Sequence, residues 1–405
     1  SPPPISIYHP AFTKFLDRLN KDNDAAPDEL VFAADLVARG RMYGSEDHQE
    51  LPQILEVALS GAKACTNPFT IPTGFSPIPT IIRARSDDSY LDPVSLAECE
   101  YIDAFTSHEA FQVRQACCCP ALLITIDGAR IQVAGAAFGD HIIVQPLADV
   151  SLLPLPTIDG TTPMTHAVIY RVARLLRALR AARIELDKYY SDIASAISAW
   201  HRPPPELIGP HWTEFVHPEH GRVTLTYTGR IGAYDFPHKA VFTAQATAAG
   251  MPAASVVVKF PLQYGKSGHE ALAPEFAPRL WHCAREPSVG GLWAVVMDFV
   301  QGSAVAEREV LTPAQGEALG SAVGRLHARG LVFGDLREVN VLTVGDGVRL
   351  IDFDWCGTVG EARYPPAINM EHKWPMGVRC GQFIEQSHDR FWVKKMSGMW
   401  TGDVV

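Results

Sequence analysis

The sequence lacks the cysteine spacings that hold structural metals or secreted disulfide frameworks. Its eight cysteines include three in a row, in CCCP, and no C-x-x-C pair occurs among them. Zinc knuckles need closely spaced Cys or His pairs, and disulfide-stapled domains are short and rich in cysteine, so neither is predicted. Reduced thiols in an intracellular protein, cytoplasmic or nuclear, are the simplest interpretation. The CCCP cysteines are predicted to be structural, because cysteine is commonly buried.

Long apolar runs and an excess of positive charge are also absent. No stretch approaches the about 20 apolar residues that a membrane-spanning helix needs. The first ten residues, SPPPISIYHP, have neither the basic flank nor the apolar run of a signal peptide. A net charge of −10 at pH 7 argues against general affinity for nucleic acid. We therefore expect no membrane association and no specific nucleic-acid partner.

A proline cluster marks a boundary between two domains. The chain has 405 residues, more than one hydrophobic core usually supports. In WHRPPPELIGPHW, residues 200–212, three prolines follow a long helical pattern. Since proline cannot continue a helix and favours extended chain, we predict a semi-rigid linker over residues 201–212. This linker separates a first domain, residues 1–200, from a second domain, residues 213–405.

The first domain is predicted to be mixed α+β. Asp127-Gly128 lies between two apolar runs and is typical of a hairpin, and Ile142 to Val144 add a third strand. From about 165 to 200, apolar residues recur at helical spacing, which predicts a long amphipathic helix. Arginines occupy every third position of that helix from Arg171 to Arg183. A solvated face with packed arginine stems is the favoured interpretation, and a docking strip for an acidic partner remains open.

The second domain has its chemistry concentrated between residues 312 and 354. Thr312-Pro-Ala-Gln315 is a capping box that predicts the start of a helix, which stops at Gly330. A loop with three polar side chains follows. Two short strands then surround Gly345-Asp346-Gly347, and an acidic motif, Asp352-Phe353-Asp354, follows the second strand. The predicted strands are Val341–Thr343 and Val348–Ile351.

These residue types meet the needs of phosphoryl transfer from a nucleotide. The reaction needs a carboxylate at the attacking hydroxyl, oxygen ligands for magnesium and a cation at the phosphates. Asp335-x4-Asn340 resembles the H-R-D-x4-N catalytic loop of protein kinases, and Asp352 begins a motif that resembles D-F-G. In this pattern Asp335 is the catalytic base, and Asn340 and Asp352 hold Mg²⁺. Arg337 supplies the cation at the transferred phosphoryl group.

The upstream half of this domain is predicted to bind ATP. VTLTYTGRIGAYDFPHKAVFTAQ, from residue 223, indicates two strands around a glycine loop that contains Gly229 and Gly232. Lys259 ends a β-branched run, ASVVVK, and takes the place of the lysine that contacts the phosphates. LWAVVMDFV indicates the strand that enters a hinge. There Met297 is predicted to line the pocket, and backbone groups bond the adenine edge at Asp298, Phe299 and Val300.

The same motifs resemble those of a known family. LHARGLVFGDLREVNVL, LIDFDW and RYPPAINMEHKWP…HDRF resemble fungal protein-kinase-like proteins, and more distantly the kinase domains of crinkler-type effectors. The resemblance covers residues 206–405, and more weakly ITIDGARIQVAGAAFGDHIIVQPLAD in the first domain. It implies a two-lobed protein-kinase-like fold, with an N-lobe over about 213–297 and a C-lobe over about 301–405. It also implies ATP, Mg²⁺ and a protein substrate phosphorylated on Ser or Thr.

The chain departs from the kinase pattern at several points. Phe333 replaces the histidine of H-R-D, Asp354 replaces the glycine of D-F-G, the glycine loop is incomplete, and A-P-E is absent. Glu270 and Glu275 are the candidates for the helix glutamate that pairs with the phosphate-binding lysine, although nearby prolines leave little helix. Residues 353–405 follow the magnesium aspartate, so a shortened C-lobe is expected.

These departures leave two other functions open. A small-molecule kinase of the aminoglycoside or choline type commonly has the form G-D-x4-N, and Gly334 fits that form. The absence of A-P-E also favours it. A pseudokinase scaffold or effector is favoured by the weak glycine loop and the missing helix glutamate. The complete set of lysine, base and metal ligands argues against a scaffold, which has no chemical need for them.

Overall fold

The computed structural model describes the chain in nine stretches: residues 3–21, 25–40, 50–60, 77–85, 92–153, 165–198, 209–232, 239–306 and 310–398. The chain divides into two compact units. The first comprises residues 1–212, 232–239 and 288–290, and the second comprises residues 213–231, 240–287 and 291–405. Both units mix helices and strands, so the α+β class is confirmed. Most of the predicted linker, residues 201–208, lies outside the described residues.

A long helix organises the described part of the first unit. The helices of this unit are α1 (Pro10–Asn20), α2 (Pro27–Gly40), α3 (Leu51–Ser60), α4 (Pro93–Thr106), α5 (Phe111–Ala116) and α6 (Thr165–Ser198). The apolar stripe of α6 is buried and packs on α1 and α2, which confirms the predicted amphipathic helix. Arg177 and Arg180 pair with Glu29 and Asp28 of α2, each at 2.7 Å. Part of the arginine strip therefore serves contacts inside the unit.

The first unit also contains a four-stranded sheet. Its strands are β1 (Thr80–Ala84), β2 (Ala121–Asp127), β3 (Arg130–Phe138) and β4 (Ile142–Ser151), in that spatial order. β2 to β4 are antiparallel, and the predicted hairpin is confirmed. Gly128 has a φ of 55° there, which glycine adopts without steric cost. β1 was not predicted and pairs with β2 in parallel.

The cysteine triplet lies in the core of the first unit. Cys117, Cys118 and Cys119 are all at most 3% exposed. The hydroxyl groups of Tyr101 and Tyr190 donate to the carbonyl oxygens of Cys119 and Pro120, at 2.9 and 3.0 Å. Burial raises the pKa of the Cys118 thiol well above its ordinary value. The three cysteines therefore serve as packing groups of this core, as predicted.

A six-stranded antiparallel sheet forms the first part of the second unit. Its strands are β5 (Glu214–His217), β6 (Gly221–Arg230), β7 (Val241–Ala248), β8 (Ala254–Lys259), β9 (Leu280–Glu286) and β10 (Leu292–Asp298). The spatial order is β5-β6-β7-β8-β10-β9. β8 holds Val256 and Val258 buried between β7 and β10, because β-branched side chains pack well on a pleated surface. One short helix, α7 (Lys266–Leu272), lies between β8 and β9 in the chain.

Helices and short strands make up the remainder of the second unit. They are β11 (Ser303–Ala304), α8 (Pro313–His327), β12 (Leu331–Val332), β13 (Val341–Val344), β14 (Gly347–Leu350), β15 (Gly357–Thr358) and α9 (Gln386–Met396). The capping box at the start of α8 is confirmed, with the Thr312 side chain accepting from Gln315 N–H. The hairpin is confirmed as β13 and β14, although Gly347 belongs to the second strand.

One buried cluster joins the sheet of the second unit to its helices. It contains Val295 and Met297 of β10, Leu326 of α8 and Trp392 of α9. The site described below lies within this unit and is held by one continuous core. None of the helices that the structure describes combines the length and the hydropathy of a membrane-spanning segment.

Candidate active site

The loop after β12 holds the predicted catalytic base in a closed arrangement. Asp335 is 5% exposed, and the guanidinium of Arg337 donates to both of its carboxylate oxygens, through Nη2 at 2.8 Å and through Nε. Asn340 Nδ2 donates to the backbone carbonyl of Asp335 at 2.9 Å. These bonds raise the pKa of Arg337 further above its ordinary value. The loop therefore presents a base, a cation and an amide oxygen together.

Arg337 is fixed from its other side by two indoles. Its guanidinium carbon lies 6.0 Å from the ring centroid of Trp355 and 5.3 Å from that of Trp374. Aromatic faces attract a guanidinium electrostatically. Arg337 is thus held beside the base by both charge and stacking, whereas a lysine would lose the bidentate bond.

Lys259 lies between two carboxylates of the acidic motif. Its Nζ contacts Asp352, and it donates to Asp354 Oδ1 at 2.6 Å. Burial alone lowers the pKa of Lys259, but the two carboxylates outweigh it, so the net shift is upward. Desolvation raises the pKa of the Asp354 carboxyl to about 7, and Lys259 opposes this effect. The buried ammonium group of Lys259 is therefore paired with two carboxylates, those of Asp352 and Asp354.

The predicted magnesium ligands fit a hard cation with few protein ligands. Asn340 is 3% exposed and its amide nitrogen is used, so its amide oxygen is the group left for a metal. The backbone N–H of Ile351 donates to the Asn340 carbonyl at 3.0 Å, which ties Asn340 to the residue before Asp352. Among the described residues, no group of three or more His, Cys, Asp or Glu side chains suits a metal ion. Mg²⁺ keeps several waters, so one asparagine and one aspartate suffice.

The residue that replaces the H-R-D histidine is explained by packing. Phe333 is fully buried and meets the ring of Phe353 edge to face, with centroids 5.1 Å apart. His269 of α7 stacks on Phe353, with ring centroids 4.5 Å apart. Phe353 is thus held by one ring from the catalytic loop and one from the short helix. A histidine at position 333 would put a polar ring into this apolar contact.

Gly334 meets a backbone requirement as well as a sequence pattern. Its φ is +87°, and a Cβ built there would lie 2.9 Å from Ile384 Cδ1 and 3.1 Å from the Trp355 carbonyl. The arginine of H-R-D would be strained at this angle and would also collide with these atoms. The catalytic loop therefore depends on glycine immediately before Asp335.

Asp389 anchors the catalytic loop and was not predicted as a site residue. It is 1% exposed, and its carboxylate accepts the backbone N–H groups of Phe333 and Gly334 at 2.8 and 3.0 Å. His327 Nε2 lies 3.0 Å from the same carboxylate. The sequence contained a signal for this role. Asp389 is one of the buried residues of α9, together with Phe391 and Trp392. A buried acid on an apolar face requires partners.

The predicted glycine loop is placed only in part. Gly229 lies inside β6, paired with Thr243 of β7, and therefore is not in the loop itself. Gly232 follows the strand in a turn with a φ of 66°, where a glycine is favoured. Residues 233–238 of the predicted loop lie outside the described residues.

The predicted hinge donors are partly used by neighbouring strands. The N–H of Asp298 donates to the Arg279 carbonyl, and the N–H of Phe299 donates to the Ser255 carbonyl, both at 3.0 Å. No hydrogen bond from the Val300 N–H is found within the described residues. Met297 is 5% exposed and belongs to the core that lines this strand.

Neither predicted glutamate pairs with Lys259. Glu270 lies on α7 but pairs with Lys266 at 3.8 Å, and Glu275 pairs with Arg325 at 2.6 Å. Both glutamates are more than half exposed. α7 has only seven residues, so its acidic side chain lies on the solvent face. The acids that meet the lysine instead are Asp352 and Asp354.

His269 makes the stability of the second unit dependent on pH. Its Nε2–H donates to the Pro278 carbonyl at 2.7 Å and its Nδ1 accepts from the Tyr264 hydroxyl, so the ring is neutral. Burial lowers the pKa of His269 from 6.5 to about 4. The unfolded chain therefore binds more protons between these values. This contribution to stability is complete above pH 6.5 and is lost as the pH falls towards 4.

We expect wild-type protein to lose about 2 kcal/mol more unfolding free energy than His269→Gln between pH 7 and pH 5. Urea titrations followed by tryptophan fluorescence measure this difference. The signal reports mainly the second unit, which contains six of the eight tryptophans, whereas Trp200 and Trp212 belong to the first unit. Parallel pH profiles for the two proteins would show that His269 does not titrate in this window.

Known proteins match this chain only in part, and no family model matches it. A 57-residue stretch is 42% identical to a probable bifunctional tRNA threonylcarbamoyladenosine biosynthesis protein of Methanosarcina acetivorans, and 40% identical to that of Methanosarcina mazei. This stretch is 14% of the chain and spans about 10% of the length of those curated relatives. The solved structure of the Cydia pomonella granulovirus kinase PK-1 is similar over 43% of this chain and 69% of that chain. The identity is 15% and the TM-score is 0.33.

Proposed function

We propose that this protein is an ATP- and Mg²⁺-dependent phosphotransferase with a two-lobed protein-kinase-like fold in its second unit. The observation that carries the proposal is that Lys259 and Asp352 lie together with the loop of Asp335 and Asn340. Lys259 contacts Asp352, and the backbone beside Asp352 bonds Asn340, whose side chain bonds Asp335. These positions are separated in the chain by up to 93 residues. Phosphoryl transfer requires such a meeting of lysine, metal ligands and base.

The proposed roles follow from the contacts. Asp335 accepts the proton of the attacking hydroxyl, and Arg337 faces the transferred phosphoryl group once it leaves the carboxylate. Lys259 binds the phosphates, and the Val300 N–H binds the adenine edge. Asn340 and Asp352 hold Mg²⁺, which neutralises phosphate charge when bound. The Arg337 guanidinium bonds both carboxylate oxygens of Asp335, so it has to release at least one of them before the base accepts a proton.

A hydroxyl of a protein side chain, Ser or Thr, is our proposed acceptor. A small-molecule acceptor is the second candidate, and the observation that favours it is the left-handed Gly334. The backbone conformation before Asp335 therefore requires the glycine of the G-D-x4-N form. A pseudokinase has less support, because the lysine has an acidic partner despite the missing helix glutamate. Transfer of labelled phosphate to a mixed protein extract, compared with a panel of aminoglycosides and choline, distinguishes the two acceptor classes.

We expect ATP to bind in the presence of Mg²⁺, and Asp352→Asn to remove most of the Mg²⁺-dependent part of its affinity. The carboxylate charge is what attracts the cation, and an amide keeps the shape without the charge. Calorimetry with ATP, in Mg²⁺ and in EDTA, measures both parts. No heat of binding to folded wild-type protein would reject the proposed function, and equal loss in both buffers would reject this role for Asp352.

A further inference from the structure

The buried lysine has a second acidic neighbour besides the proposed magnesium ligand. Lys259 Nζ donates to Asp354 Oδ1 at 2.6 Å while it contacts Asp352. The lysine side chain is 10% exposed and that of Asp354 is 28% exposed. An ammonium group so little exposed needs a permanent partner, since an unpaired buried charge is strongly destabilising. Asp352 cannot be that partner if it turns to a cation.

Helix α7 does not supply an acidic partner for Lys259. The side chain of Glu270 on α7 is 56% exposed and pairs with Lys266. Kinases of the usual pattern take the acidic partner of this lysine from a helix. Here the partner comes from the acidic motif itself, at the position where D-F-G has glycine. A glycine at this position has no side chain, whereas Asp354 supplies a carboxylate that bonds Lys259.

The backbone fixes Asp354 in this position. Asp352 has a φ of 69° and is followed by a 3₁₀ turn, Phe353–Trp355. The N–H of Gly265 donates to the Phe353 carbonyl at 2.9 Å. Built Cβ atoms at Gly265 and Gly268 would lie 2.4 Å from the Cys356 carbonyl and 2.2 Å from Cys356 Sγ. The two glycines thus let α7 approach closely enough to hold the turn.

We propose that Asp354 is the positioning residue that directs Lys259 to the phosphates of the nucleotide, in place of a helix glutamate. This inference rests on the proposed function and names the partner that the sequence left open. If Asp352 holds a cation, Asp354 remains the hydrogen-bond partner that keeps Lys259 in place. Because Asp352 and Asp354 belong to one turn and Lys259 ends β8, the ion pair does not depend on the rotation of a helix.

The test is ATP affinity in Mg²⁺ and in EDTA for Asp354→Asn and Asp354→Gly. Both variants should weaken ATP binding about tenfold in both buffers, the lower end of what a hydrogen bond between charged groups contributes. The Mg²⁺ concentration for half-saturation should not change. Asp354→Gly restores the D-F-G residue and avoids an amide donor facing the ammonium, so it serves if Asp354→Asn folds poorly. Glu270→Gln is the matched control and should bind ATP as wild type does.

A double-mutant cycle separates positioning from metal binding. In a Lys259→Met background, Asp354→Asn should have almost no further effect on ATP affinity, because the lysine that it positions is gone. The same cycle on thermal stability of the ligand-free protein should show coupling between the two residues. An effect confined to Mg²⁺ that persists without the lysine would make Asp354 a metal ligand and overturn the proposal. Unchanged affinity in both Asp354 variants would overturn it too, whereas wild type that binds no ATP would instead reject the proposed function.

Discussion

Asp335→Asn is expected to lower kcat for phosphoryl transfer by about a thousandfold while ATP affinity stays close to that of wild type. In its proposed role, the carboxylate contacts the attacking hydroxyl and not the nucleotide. Asparagine keeps an oxygen for Arg337 but cannot accept the proton. Transfer of labelled phosphate, measured beside calorimetry on the same preparation, gives the two quantities separately.

Asp346→Asn is the matched control for this substitution. It makes the same change of carboxylate to amide in the exposed turn between β13 and β14. It should leave both transfer and binding unchanged. Full transfer activity in Asp335→Asn would remove this residue from the chemistry. A parallel fall in ATP affinity would mean that it supports the nucleotide site and is not the base.

Local features of the second unit were predictable because they are encoded by neighbouring residues. The capping box at Thr312 and the hairpin around Gly345 depend on contacts within a few positions. The order of Lys259, Asp335 and Asp352 along the chain matches the order in protein kinases, and it identified the three residues as candidates for one site. The contact between Lys259 and Asp352 agrees with that order, and the roles of these residues stay predictions.

Contacts between distant segments were not predictable in the same way. Spacing suggested Glu270 or Glu275 for the lysine, yet seven residues of helix leave Glu270 on the solvent face. The hinge prediction named backbone groups at three positions and stays a prediction, and the structure adds that the N–H groups of Asp298 and Phe299 bond neighbouring backbone carbonyls. These outcomes depend on the register of strands and the length of a helix, which a single sequence specifies weakly.

The first unit shows the same limit on a larger scale. Its hairpin and its long helix have strong local patterns and were both predicted. β1 is five residues long and pairs in parallel with β2, so nothing near it in the chain indicates its partner. A parallel pair requires a connection through other structure, and the pairing is set by the tertiary core.

Asp389→Ala is expected to lower the unfolding free energy of the second unit by about 3–5 kcal/mol, the cost of breaking a buried charged network. The substitution leaves the N–H groups of Phe333 and Gly334 buried without an acceptor. Each such donor costs about 1–3 kcal/mol. Urea unfolding followed by tryptophan fluorescence measures the loss.

The activity of Asp389 variants then tests whether the anchor also serves the site. Phe333 and Gly334 immediately precede the base, so a loosened loop should lower kcat even where the protein is still folded. Asp389→Asn keeps one acceptor oxygen and should show a smaller loss of both stability and kcat. Arg390→Ala changes the next, exposed residue of α9 and should alter neither by a measurable amount. If Asp389→Ala were as stable and active as Arg390→Ala, the bonds from Asp389 would not hold the loop. A stable variant with reduced kcat would show that α9 positions the base across 55 residues of chain.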